Sequence, residues 1–278
     1  MNGTRVDTGA GVRFPLGKAL RILEAVARQP LAVSLAELSD ASRLPKPTVH
    51  RLAVELERLG LIARDPLTRR FHVGSRLEEL AVNAIRKGMA QSSRRVHMER
   101  LAEKVGERVN IGVISANKVV YVHWVESAGP LRINVEPGTQ IPVHCSANGK
   151  LLLAYGPDAL REQILASGPF QAYTPRTITT AEALRRELQR IRREGHSEDN
   201  EEFIPGVCCI AVPVRNRRGE VVAGLAIMAP SARLPLVKAR QHLPDMEACA
   251  AAISAELGRR GARRSNGGAA RRNATQGD

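Results

Sequence analysis

The chain has 278 residues, which leaves room for two compact domains, and its 43% hydrophobic and 3% aromatic residues are typical of a globular protein with aliphatic cores. Its net charge of +14 favours a polyanionic partner, although charge alone does not identify DNA. The four cysteines form no CxxC pair and no regular framework, so we expect neither a structural metal nor disulfides, and no cofactor. The chain begins without the apolar core of a secretion signal and contains no membrane-length apolar run. We therefore expect a cytoplasmic protein without a membrane partner.

Residues 1–12 are small and polar, and we expect a disordered tail there. Residues 13–74 then show three helical patterns and a hairpin. A first helix is predicted over residues 14–29, with an apolar stripe made of Leu16, Leu20, Leu23 and Ala27. Ser34 and Glu37 have the spacing of a capping box, which predicts a second helix from Ser34 and a turn at residues 41–44. Strands at residues 61–64 and 70–73 flank a turn. This order predicts a winged helix-turn-helix.

The third helix of this unit is the predicted DNA-reading helix. Prolines at positions 45 and 47 fit a helix N-terminus, so the helix begins near Lys46 and its first turn is exposed. Free backbone N–H groups at such an end favour phosphates. We expect Thr48, His50 and Arg51 to approach base edges, and phosphates to be bound by Lys46, Arg69 and Arg70. The alternative is a helical hairpin used only for packing, but its excess of basic residues favours DNA.

The remaining chain alternates between helical and strand patterns. A linker helix is predicted at 75–89, followed by a domain at 90–258 and a basic disordered tail at 259–278. Within the domain, strands are predicted at 109–114, 119–125, 132–135, 209–214 and 221–228. Helices are predicted at 92–105, 147–155, 157–166 and 180–193, with a last one through residue 257. This mixture predicts an α+β domain built on one antiparallel sheet.

Three features of the sequence bear on the alternative that this protein is an enzyme. Gly149 and Lys150 resemble part of a phosphate loop, but the next residue is Leu151 instead of Ser or Thr, which excludes that motif. An acyl-transfer enzyme with Cys145 or Cys209 as its nucleophile is the main rival, although a buried cysteine is commonly a small apolar filler. Asp199 and Glu202 could act as an acid and base pair, but carboxylates in such a loop more often accept backbone N–H bonds. We therefore expect no catalysis.

Several segments together resemble the isocitrate lyase regulator (IclR) family of bacterial transcription factors, over about residues 15–258. They are KALRILE, PKPTVHRL, RRFHVG, GTQIPVHCSANGK and GHSEDNEEFIPGVCCIAVPV. The hallmark of the family's second domain is matched by Gly195, Asp199, Glu202 and Cys209. Arg215 departs from the pattern, since the family usually has an aromatic residue or histidine there. The resemblance implies a winged helix-turn-helix, a linker helix and a GAF-like effector domain with an antiparallel sheet, in dimers or tetramers.

The implied function is a regulator, repressor or activator, that binds a double-stranded, palindromic operator and responds to a small molecule. A second rival is a non-specific nucleic-acid-binding protein driven by the basic tail. The strand at 225–228 supplies an apolar wall, and the helix beginning near residue 147 favours a carboxylate, so we expect a small organic acid, preferably aromatic, as the effector. The resemblance places the effector pocket at Ile133, Ala147, Asn148, Asp199, Val207, Cys209, Ala226 and Met228.

Overall fold

The structure is a computed structural model that describes residues 15–29, 31–90, 93–115, 117–126, 133 and 139–266. The chain divides into two compact units, Met1–Ala84 and Ile85–Asp278. A helix, α4 (Ser75–Ala90), begins in the first unit and ends in the second. Each unit has its own hydrophobic core, so each is described by itself.

Ahead of α4, the described residues of the first unit form α1 (Pro15–Arg28), α2 (Leu35–Ser42), α3 (Lys46–Arg58) and a hairpin of β1 (Ile62–Arg64) and β2 (Phe71–Val73). The predicted capping box is present, because Ser34 Oγ accepts from the Glu37 N–H at 3.3 Å and Glu37 Oε2 accepts from the Ser34 N–H at 2.7 Å. The turn between α2 and α3 is shorter than predicted. It starts at Arg43, whose left-handed φ of 52° ends α2.

The buried stripe of α1 differs from the prediction. Ile22, Ala25 and Val26 are buried in the core, whereas Leu16 and Leu20 are 81% and 52% exposed. The sequence of α1 contains two apolar stripes, and spacing alone does not show which of them faces the unit's own core. The stripe of Ile22, Ala25 and Val26 packs against α2 and α3, which leaves Leu16 and Leu20 exposed on α1.

The second unit is built on a six-stranded antiparallel sheet with the order β5-β4-β3-β8-β7-β6. The strands are β3 (Arg108–Ser115), β4 (Lys118–Val125), β5 (Ile141–Pro142), β6 (Ser197–Asn200), β7 (Val207–Arg215) and β8 (Val221–Pro230). One face of the sheet packs against α5 (Ser93–Val105), α9 (Leu236–Ala239) and α10 (Leu243–Asn266). The other face packs against α6 (Ala147–Tyr155), α7 (Asp158–Ala166) and α8 (Ala181–Glu194), and we call it the α6 face. This architecture confirms the predicted α+β class.

Three elements of the second unit were not predicted, one predicted strand is not tested, and the last helix is longer than predicted. The short strands β5 and β6 and the helix α9 were missed, β6 because its sequence, SEDN, is polar and it lies at a sheet edge. The predicted strand at 132–135 falls outside the described residues except for Ile133. The helix α10 continues to Asn266, eight residues into the segment predicted as a disordered tail from 259. Arginine and alanine are good helix formers, so the helix outlasts its apolar stripe.

Candidate functional site

The outer face of α3 is exposed and basic. Lys46, His50 and Arg51 are exposed, and Thr48 is half-buried, while Val49 on the opposite face is fully buried. The helix begins without a side-chain cap. The carbonyl of Pro45 accepts from both Thr48 and Val49, and proline 47 has no N–H. Among the described residues, the first turn therefore offers an anion only the Lys46 N–H, fewer groups than the sequence suggested.

The two arginines predicted on the wing differ in their contacts. Arg70 donates from Nε to the Ala32 carbonyl at 2.8 Å and from Nη2 to both carboxylate oxygens of Glu37 at 2.9 and 2.7 Å. These bonds connect the wing to the start of α2. Arg69, at a φ of 57°, is exposed, and its side chain makes no hydrogen bond within the described residues. Arg43 is also exposed at the turn before α3, a basic position that periodicity could not indicate.

Four side chains form a row across the α6 face of the sheet. Strand register pairs Asp199 with Cys209, Cys209 with Met228 and Met228 with Arg108. Directly paired residues point to the same side of a sheet, so the row runs from a carboxylate, over a thiol and a thioether, to a guanidinium. Asp199, Cys209 and Met228 were predicted pocket residues, but Arg108 was not.

The apolar residues predicted for the pocket pack in one cluster on this face. Cys209, Met228 and Ala226 are buried there together with Val207 and with Ala147 at the start of α6, and Ile133 packs against them. The structure therefore brings together residues that are distant in the sequence.

The side chain of Asn148, the remaining predicted pocket residue, contacts the strands β3 and β8. Its Nδ2 donates to Asn110 Oδ1 at 2.9 Å. A Cβ at Gly112 would lie 2.8 Å from Asn148 Nδ2, and a Cβ at Gly224 would lie 2.1 Å from its Oδ1. These two glycines are paired across β3 and β8, so they form a slot that admits the amide. Asn148 thereby fixes α6 against the sheet.

Arg108 is 3% exposed although it is charged. Its Nη1 donates to the Ile133 carbonyl at 2.8 Å and lies 3.5 Å from Glu126 Oε1. The guanidinium carbon is 5.3 Å from the centre of the Trp124 ring and 6.0 Å from that of Tyr121. Within the described residues, Nε and Nη2 are buried and have no acceptor. No local pattern indicated this burial, because Arg108 follows a helix end, where an arginine is usually a solvated charge.

The acidic loop after β6 is anchored from both sides. Asp199 Oδ1 accepts from the Glu202 N–H at 2.7 Å, as expected for a loop anchor. Glu202 Oε1 accepts from Nζ of Lys150, which is 1% exposed in α6. Burial and the negative charge of Glu202 raise the pKa of Asp199 to about 7. Such a carboxyl exchanges its proton near neutral pH, so it is able to donate or accept a hydrogen bond.

The cysteines are unsuited to nucleophilic attack. Burial and the charge of Asp199 raise the pKa of Cys145 to about 12. Burial, followed by Asp199, raises the pKa of Cys209 well above its usual value, and its thiol donates to Asp199. The His144 ring stacks on Phe170 and burial lowers its pKa. A nucleophilic cysteine needs a stabilised thiolate, and these environments favour the thiol.

Within the described residues, no group of three or more His, Cys, Asp or Glu side chains is arranged to hold a metal ion. Nor is any helix in that part of the chain both long and apolar enough to cross a membrane.

Comparison with known proteins decides the family. The model of the IclR helix-turn-helix domain matches residues 15–66, and that of the bacterial transcriptional regulator IclR C-terminal domain matches residues 84–255. The chain belongs to the IclR family. Its IclR-family relatives include the probable transcriptional regulator SauR of Cupriavidus necator, 37% identical over 84% of this chain and 92% of SauR. The HTH-type transcriptional regulator KdgR of Escherichia coli is 32% identical over 87% of this chain and 91% of KdgR.

Solved IclR structures have the same architecture. Thermotoga maritima IclR, 27% identical, matches with a TM-score of 0.57 over 87% of this chain and 98% of its own. An IclR homologue from Microbacterium hydrocarbonoxydans, crystallised with 4-hydroxybenzoate, is 26% identical with a TM-score of 0.55 over 88% of this chain and 99% of its own. This IclR-family chain is thus a DNA-binding regulator of transcription and not an enzyme, which confirms the prediction.

Proposed function

We propose that this regulator binds a palindromic operator as a homo-oligomer in the cytoplasm, and that a small organic acid bound on the α6 face changes its affinity for that operator. The observation that carries the proposal is the buried row from Asp199 to Arg108, which places opposite charges around an apolar floor. A site of this kind suits a small molecule that has an apolar body and polar ends.

DNA binding is assigned to α3 and the wing. Arg51 and His50 lie on the exposed face of α3, where they are able to reach base edges in a major groove. Lys46 and Arg69 are exposed at the helix start and on the wing, which are positions suited to phosphates. A single helix of this type reads one half-site, so a symmetric operator requires two copies of the chain.

Self-association as a dimer or tetramer is supported by the leucine stripe of α1. Leu16 and Leu20 are exposed one turn apart, and a contiguous apolar stripe on a helix favours contact with another protein surface. A second copy of this chain provides an identical stripe, which suits an isologous contact. Light scattering of Leu20→Lys and of wild type tests this. An unchanged molar mass of the assembly would show that the stripe is not part of the interface.

An aromatic or other apolar acid is supported by two observations. The row contains one guanidinium with unused N–H groups and one carboxyl with a pKa of about 7. The homologue from M. hydrocarbonoxydans, which has the same fold, was crystallised with 4-hydroxybenzoate. The guanidinium and the ligand of that homologue favour an acid over a sugar or an amine for this chain, and the carboxyl favours a hydrogen-bonding group at its other end.

Footprinting on DNA surrounding the gene for this protein tests the proposal, with a panel of aromatic and aliphatic acids, sugars and amines. We expect a short symmetric protected site whose occupancy changes with one acid. Protection without sequence preference would favour the non-specific binder instead. A chain truncated after Asn266 separates the contribution of the last arginines, because their removal should reduce the salt dependence but not the choice of operator. A response restricted to sugars or amines would refute the acid effector.

A further inference from the structure

We propose that Arg108 binds the acid group of the effector through its Nε and Nη2, and that the effector extends from there along the row toward Asp199. The inference rests on the proposed function, since it identifies the residue that would recognise an acid on the α6 face. It also specifies the ligand class: an acid whose opposite end carries a hydroxyl or another hydrogen-bonding group.

The two unused nitrogens of Arg108, Nε and Nη2, are the pair that binds carboxylates in two other arginines of this chain. Arg233 donates from Nε and Nη2 to the two oxygens of Glu107 at 2.6 and 2.7 Å. Arg240 donates from the same two nitrogens to Glu198 at 2.6 and 2.8 Å. In Arg108 these nitrogens are buried without an acceptor among the described residues. A carboxylate placed there completes a bidentate pair, the arrangement for which a guanidinium is best suited.

The guanidinium is held in place before a ligand arrives. Its Nη1 donates a hydrogen bond to the Ile133 carbonyl, and the guanidinium carbon lies near the rings of Trp124 and Tyr121. Glu126, whose Oε1 is 3.5 Å from Nη1, partly balances its charge. A buried cation with two unpaired donors is costly for the folded chain, and a bound acid removes that cost. This difference favours anions over neutral molecules of the same shape.

The strand register sets the length of the ligand. Arg108 and Asp199 are three strand spacings apart, roughly 14 Å at the backbone, with Met228 and Cys209 between them. The ring contacts of the guanidinium are with Trp124 and Tyr121 of β4, so the ligand has to cover the spacing from β3 to β6 with its own length and a hydrogen bond at each end. Arg108 also lowers the pKa of the Cys209 thiol against the larger effects of burial and Asp199, which places the guanidinium within electrostatic range of the middle of the row. A para-hydroxylated aromatic acid has the required separation of its polar groups.

Trp124 allows binding to be measured at this position, because it is the single tryptophan of the chain and lies beside Arg108. We would titrate the full-length protein with 4-hydroxybenzoate and with its neutral isostere 4-hydroxybenzamide, following tryptophan fluorescence, with calorimetry as a second readout. The variants are Arg108→Gln and Arg108→Lys. Arg185→Gln is the matched control, since it removes the same charge from an exposed arginine of α8.

For wild type we expect the acid to bind at least about 10-fold more tightly than the amide. Arg108→Gln should abolish that preference, Arg108→Lys should retain part of it, and Arg185→Gln should retain all of it. Equal binding of acid and amide by wild type would overturn the proposal even if Arg108→Gln did not fold. An unchanged preference in Arg108→Gln would overturn the role of Arg108 but leave the acid effector intact. Failure of wild type to bind 4-hydroxybenzoate or any acid of the footprinting panel would overturn both.

Discussion

The two proposed sites, the exposed face of α3 and the α6 face of the sheet, are built in opposite ways. On α3, Lys46, His50 and Arg51 are neighbours in the sequence and are exposed, so we expect each to contact DNA without disturbing a core. On the α6 face, Arg108 and Asp199 are buried and come from strands 91 positions apart in the chain numbering. Substitutions on α3 should therefore change binding alone, whereas substitutions on the α6 face should act on both binding and stability.

The largest effect is expected at Met228, in the middle of the buried row. Met228→Glu places a carboxylate in an apolar wall between Cys209 and Arg108, where it is costly to bury and competes with the acid group of the effector for the unused N–H groups of Arg108. The response to the effector should be lost, while affinity for the operator without effector should be retained. Operator binding with and without the acid measures both quantities.

Val222→Glu is the matched control for that variant, because it makes a similar change on the same strand at an exposed position. We expect a normal response from it. A normal response from Met228→Glu as well would show that the apolar floor of the row does not contact the effector, and the distinction between the two faces would fail.

This comparison also explains which features the sequence revealed. The start of α3 at Lys46 was predicted because the prolines at positions 45 and 47 are a local signal. The Arg108 site was missed, since its surroundings depend on the register of four strands, which no local pattern contains. The predicted stripe of α1 was wrong for a related reason: Leu16 and Leu20 have the correct spacing, but the core selected Ile22 and Val26.

The next largest effect concerns base reading by Arg51. Arg51→Ala should cost roughly 1 to 3 kcal/mol of binding free energy on the operator and much less on random DNA, because a base contact carries sequence information. Competition binding at one fixed salt concentration measures the difference. Arg58→Ala is the control, as Arg58 lies near the end of the same helix and is paired with Glu55. An equal loss on both DNAs would reduce Arg51 to a phosphate contact.

A third effect tests burial on the α6 face through the pH dependence of stability. Because the pKa of Asp199 is raised from 3.8 to about 7 on folding, its favourable contribution is complete below about pH 4 and is lost as the pH rises through 7. In Asp199→Asn this dependence disappears, so the variant should gain stability relative to wild type between pH 4 and 8, by at most about 1.4 kcal/mol per pH unit. Urea unfolding across this range measures it.

Asp158→Asn serves as the reference for that experiment, because Asp158 is exposed at the start of α7. The free energy of unfolding of Asp158→Asn should follow that of wild type across the pH range. Parallel pH profiles for wild type and Asp199→Asn would mean that Asp199 is not protonated on folding, and its proposed role as a hydrogen-bond donor at neutral pH would be withdrawn.

The smallest effects are expected on the wing, where the structure separates two adjacent arginines. Arg69 is exposed, so Arg69→Gln should weaken binding to all DNA sequences equally and reduce the slope of affinity against salt by about 1. Arg70 is occupied by Glu37 and the Ala32 carbonyl, so Arg70→Gln should instead lower the free energy of unfolding, by about 1 kcal/mol or less for a partly exposed pair. Salt titrations and urea unfolding of both variants measure the two effects. If Arg70→Gln reduced the salt slope as much as Arg69→Gln, the Glu37 contact would have to open on DNA, and both arginines would bind phosphate.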